Sequence, residues 1–182
     1  MTPAEYVQLK AFARIDGALL ALLWVASFAC YIVGLTNSVL GFVSVGMVCF
    51  TPFFVAKRLR SFRDYAREGV LSFLRGWAYV ALMFFYAGLL FAIVQYAYFS
   101  YLDHGYVLNA VEKMAEMPEF VQMLSQYEME QTFQQMLQEI RQVRPIDLAL
   151  NMLSTNLMAG VLLGLPIAAF VRSASKPAGK QH

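Results

Sequence analysis

Charge is what this sequence has least of. Lysine, arginine, aspartate and glutamate make up 14% of its 182 residues, against about 25% in an ordinary soluble domain. Hydrophobic residues make up 59%, more apolar surface than a globule of this length can hide from water. A bilayer removes that conflict. The two cysteines, Cys30 and Cys49, both fall within apolar runs, where a thiol behaves as a small hydrophobe, so no disulfide framework is expected. The only histidines are His104 and His182, and no CxxC, HExxH, phosphate-loop or dinucleotide-binding pattern is present. No metal and no cofactor are therefore expected. A net charge of +2 gives no footprint for nucleic acid.

What the sequence does have is four apolar runs. About 20 helical residues cross a hydrocarbon core, and residues 17–35, 38–56, 76–99 and 146–171 meet that length. The first two carry no charge and are separated by Thr36 and Asn37, which predicts a tight helical hairpin. The third has Gln95 as its only strongly polar residue and aromatics near both ends, as interfacial belts require. The fourth starts after Pro145 with a polar first third. Ser27, Phe28 and Ala29 before Cys30 resemble a signal-peptide cleavage site, and cleavage there would leave three spans. The apolar run continues to Leu35, which favours an uncleaved anchor.

Orientation follows from the basic residues. Lys10 and Arg14 precede the first span, six lie in 57–75, and Arg172, Lys176 and Lys180 follow the fourth. Only Lys113, Arg141 and Arg144 fall on the other side. Both termini and the basic loop 57–75 are thus expected in the cytoplasm, residues 100–145 outside, and 173–182 as a disordered tail. The fold class is an all-α integral membrane protein: four transmembrane helices, with a helical periplasmic insertion between the third and fourth.

Residues 100–145 are expected to form a short helix near 108–117, a break at Pro118 and a longer helix over 119–143. Phe120, Leu124 and Tyr127, then Phe133, Met136, Leu137 and Ile140, follow helical spacing with a slip of phase between the sets. These seven are the candidate partner-binding residues, set against the simpler reading that they pack internally. Asp147, Asn151, Ser154 and Thr155 share one stripe of the fourth span and are a candidate polar intramembrane face. Asn156, Gly160 and Gly164 are candidate helix-packing residues, the two glycines having GxxxG spacing. Lys57, Arg58, Arg60 and Arg63 are candidates to meet anionic lipid head groups, although fixing topology alone would account for them. For catalysis the spans offer no histidine and no expected buried charged pair, and Asp103 with His104 reads as an ordinary loop.

The layout resembles a family of small bacterial membrane proteins called domain of unknown function 4199. The resemblance runs from about Arg14 to Arg172 and rests on three features. They are Arg67, Gly69, Ser72 and Phe73 leading into the third span, the Glu-, Gln- and Met-rich stretch 127–139, and Gly160, Gly164, Ala168 and Ala169 before Arg172. Where members carry a second glycine and a tyrosine before the Ser-Phe pair, this chain has Glu68 and Val70. The resemblance implies a four-helix protein of the Gram-negative inner membrane and brings no catalytic residue or cofactor. The expected function is that of a non-catalytic accessory or scaffold component, whose periplasmic helices bind a membrane or envelope partner or a second copy. The alternative is a small oligomeric channel or transporter using the polar face of the fourth span.

Overall fold

A computed structural model describes residues 3–173, and among these the chain is all helical. Seven α-helices follow in order: α1 (Pro3–Gly34), α2 (Ser38–Ser61), α3 (Phe73–Tyr101), α4 (Tyr106–Ala115), α5 (Pro118–Gln126), α6 (Glu130–Gln142) and α7 (Pro145–Val171). Four of them, α1, α2, α3 and α7, are long and apolar enough to cross a membrane, which marks the chain as a membrane protein. Apart from Ser173, the polar tail lies outside the described residues.

The uncharged runs become α1 and α2, joined by the short turn that the sequence predicts. Asn37 caps α2, its side chain accepting from the Val39 amide at 3.1 Å, which satisfies one of the free donors of a new helix. The turn is tight because Gly34 faces Gly41: a Cβ on Gly34 would sit 2.6 Å from the Gly41 nitrogen. Down the hairpin, polar side chains pair at matched distances from the turn. Ser27 Oγ donates to the Ser44 carbonyl at 3.1 Å, and Trp24 Nε1 donates to Thr51 Oγ1 at 3.1 Å.

The segment 57–75, expected as a loop, is largely helical. Helix α2 runs on to Ser61 and widens into a π-helical turn, Phe62–Ala66, before Glu68 (φ 50°) and Gly69 (φ 82°) reverse the chain. Leu71 and Ser173 then exchange backbone hydrogen bonds at 3.2 and 3.0 Å, tying the start of α3 to the end of α7.

Helix α3 is the centre of the bundle and packs extensively on both α1 and α7. Helix α2 leans mainly on α1 and touches α7 only sparsely. The α3–α7 contact is close because Gly160 and Gly164 lie on it. An added Cβ would come 2.3 Å from Phe84 Cβ at Gly160 and 3.0 Å from Trp77 at Gly164. The main core, with Leu9, Leu59, Phe62, Leu71, Tyr79 and Val171 fully buried, fills the basic end of the bundle.

The segment between α3 and α7 departs from expectation at one point. The single helix expected over 119–143 is two helices, α5 and α6, separated at Tyr127, Glu128 and Met129, with Glu128 at φ 53°. The slip of phase is the cause. Nine residues along a continuous helix turn through about 180° beyond whole turns, so Leu124 and Phe133 would face opposite ways. Breaking the helix lets both enter one small core with Leu137, against Leu108, Val111, Ala115 and Phe120. Phe120 and Phe133 meet edge to face at 5.2 Å, and Arg141 joins Glu112 across α4 and α6 at 2.6 Å.

Candidate functional site

Three places gather polar chemistry. At the basic end, Asp16 is 2% exposed. Its carboxylate accepts from the Arg58 guanidinium on one oxygen and from the Tyr79 hydroxyl on the other. The pair joins a buried carboxylate to a partly exposed guanidinium just beyond the uncharged runs 17–35 and 38–56, where nothing in the sequence pointed to it. Asp16 and Arg58 flank the two uncharged runs at nearly equal distance from the hairpin turn, so antiparallel packing sets them side by side. Nearby, Glu5 is shared by Arg67 at 2.8 Å and Arg75 at 3.0 Å.

This accounts for two of the four candidate head-group residues differently. Arg58 is committed to Asp16, and Arg63 to Asp64 at 2.7 Å and to the Val171 carbonyl at 3.0 Å, where it caps α7. Lys57 and Arg60 are exposed.

The second place is the start of α7. Asp147 is half buried and binds Arg144 at 2.7 and 2.9 Å, hydrogen bonds that raise the Arg144 guanidinium above its ordinary value. Asn151, Ser154 and Thr155 are exposed on the outside of the bundle, and Ser154 Oγ donates back to the Leu150 carbonyl at 3.0 Å. The polar face of the fourth span therefore does not line the interior; of the neighbouring polar residues only Asn156 does.

The third place is a cavity of about 640 Å³ in the half of the bundle nearer α4–α6. Its floor is Trp24 and Ser27 of α1 with Phe84 and Gln95 of α3, all buried. Val107, Leu108 and Val111 of α4 and Ile140 of α6 also line it, at the end where the short helices cover the bundle. On its remaining side, Val48 of α2 is 55% exposed, and Met152 and Leu163 of α7 are 46% and 36% exposed. Tyr31 of α1 and Ile140 of α6, at the end nearer α4–α6, are also exposed, so the lining is open there as well as between α2 and α7, which touch only sparsely.

Of the seven candidate partner-binding residues, the structure divides the set. Leu124, Phe133 and Leu137 are buried in the small core, and Phe120 packs, partly buried, against it. The reason is the break between α5 and α6, which turns both apolar stripes inward. Tyr127 is 65% exposed, Met136 and Ile140 less so. Asp103 and His104 form the turn before α4: Asp103 accepts from the Gly105 and Val107 amides at 3.0 and 3.1 Å, and His104 hydrogen-bonds the Leu102 carbonyl.

Sequence reasoning noted Gln95 but missed the cavity, which six separate helices assemble. The signal was an isolated amide in a span with no evident use; Asn156 lines the same cavity from α7. No curated protein and no solved structure matches the chain. A family described as "Protein of unknown function (DUF4199)" matches residues 16–173. With most of its length covered by that match, from the buried Asp16 to the Ser173 that closes α7 on α3, the chain belongs to the DUF4199 family.

Proposed function

We propose that this protein is a non-catalytic component of the Gram-negative inner membrane, with both termini in the cytoplasm and α4–α6 in the periplasm, where they engage a partner protein. The observation that carries this is the outer surface of α4–α6. Met117 and Met129 are 50% exposed, Met123 44%, and Met114 and Met136 42%, alongside Tyr127. Flexible thioethers on an outward face repack readily around an apolar partner. A small core with so much apolar surface left uncovered is the pattern of an interaction site. The orientation is supported by the basic residues gathered at the opposite end of the bundle.

The test has two arms. A cysteine at Gln126, which is exposed, should react with an impermeant maleimide in intact cells with a permeabilised outer membrane. Labelling only after lysis would overturn the orientation. A photo-crosslinking residue at Met123, Met129 or Met136 should then give a discrete adduct with a second protein, either another envelope protein or another copy of this chain. Adducts with lipid alone would identify the methionines as a surface resting on the bilayer and remove the partner reading.

A further inference from the structure

Gln95 is 3% exposed, yet its Oε1 has no hydrogen-bond partner, and Asn156 Nδ2, also buried, has none either. Both residues line the cavity. One offers an acceptor and the other a donor. An unpartnered amide there costs on the order of several kcal/mol, so each would gain by meeting a polar group brought into the space.

Three further features narrow what that group belongs to. One opening lies on the flank of the bundle between α2 and α7, and exposed Val48, Met152 and Leu163 bring it level with the lipid rather than with solvent. The lining contains no lysine, arginine, aspartate or glutamate, so a phosphate or free carboxylate would stand there uncompensated, at prohibitive cost. The volume of about 640 Å³ falls within the range of roughly 300–1,000 Å³ typical of sites for small organic ligands. Ser27, Ser44 and Thr51 also line it but are hydrogen-bonded within the α1–α2 hairpin, and most of the remaining lining is aromatic or aliphatic, with Trp24, Phe28, Phe84, Phe91 and Phe99 on one side.

From these we infer that the cavity is a binding site for an uncharged, hydroxyl-bearing lipid of the acylglycerol type. The lipid enters sideways from the bilayer, with one acyl chain against the phenyl rings and its polar head at the two amides. An acylglycerol suits this site because its hydroxyl can donate to Gln95 Oε1 while a second hydroxyl or an ester oxygen accepts from Asn156 Nδ2.

Trp24 lines the cavity and serves as the reporter. Trp77, the other tryptophan, donates to the Val161 carbonyl at 3.0 Å and lies outside the cavity, so Trp77→Phe leaves a single fluorophore. In phosphatidylcholine vesicles, a few per cent of acylglycerol brominated on its chain should quench Trp24 saturably, and unbrominated acylglycerol should reverse it. The same bromines on phosphatidylcholine should quench weakly and without saturation. Gln95→Leu removes an unpartnered buried atom and should leave the fold at least as stable, while weakening the acylglycerol midpoint about tenfold. Quenching that never saturates, is not reversed by competitor, or is equal for phosphatidylcholine would overturn the proposal. An unchanged midpoint in both Gln95→Leu and Asn156→Leu would do the same. The competition step needs no variant at either amide, so its result stands even where one of them folds poorly. None of these readouts depends on α4–α6 binding a partner.

Discussion

A carboxylate buried to the degree of Asp16 is tolerable only where both of its oxygens are matched. Arg58 supplies charge and Tyr79 supplies a hydroxyl, and the Tyr79 ring is itself stacked on Phe62 at 4.7 Å. The three residues come from α1, α2 and α3, so this one junction pins three helices together. Asp16→Ala leaves Arg58 without its counter-charge and Tyr79 without an acceptor, and should destabilise the protein by about 3 kcal/mol. Tyr79→Phe removes only a neutral donor from a pair that Arg58 still satisfies, and should cost about 1 kcal/mol. Unfolding of both variants in detergent, followed by Trp24 fluorescence, checks the order. A larger loss for Tyr79→Phe would show that the hydroxyl contributes more to this junction than the ion pair does. The sequence hid this junction because Asp16 and Arg58 sit just outside uncharged runs, where a lone charge ordinarily reads as a topology signal, and Tyr79 sits inside the third run among other aromatics.

At the scale of elements, α4–α6 show how periodicity can be seen and still misused. The spacing of Phe120 and Leu124, and of Phe133 and Leu137, identified two amphipathic stripes correctly as helical. The phase slip between them was the information that the helix must break. Glu128 bears the cost of that break, since a side chain at φ 53° occupies a region that only glycine enters freely. Glu128→Gly should therefore stabilise the α5–α6 corner by about 0.5–1 kcal/mol. Leu137→Ala, which opens the small core, should loosen it by about 2 kcal/mol. Limited proteolysis of the intact protein reads both changes: cleavage within 106–142 should slow for the first and quicken for the second, with the four long helices protected throughout. Equal protection of 106–142 in all three proteins would mean that contacts other than this core hold the segment.

Across the whole molecule the two ends of the bundle are built to different densities. Where the basic residues lie, the core is full and the chain ends are tied down by Glu5, Arg63 and the Leu71–Ser173 pair. Toward α4–α6 the helices part and leave the cavity. The four spans and the hairpin were readable from uncharged runs of sufficient length, because membrane crossing is a property of composition. The cavity was not, because it depends on how far α2 stands from α7, and that distance is set by side chains spread over four helices. Its origin is that α2 is held through α1 alone over much of its length, by the Gly34–Gly41 approach and the Ser27–Ser44 and Trp24–Thr51 hydrogen bonds. A helix with one strong neighbour opens more easily than one clasped from two sides. Hydrogen exchange in detergent should therefore find the amides of residues 42–52 in α2 less protected than those of 80–90 in α3, where α1 and α7 both pack. Thr51→Val, which removes the Trp24 hydrogen bond, should widen the difference without altering protection in α3. If α2 exchanges as slowly as α3, the helix is fixed, and the gap between α2 and α7 is a permanent window rather than one that opens.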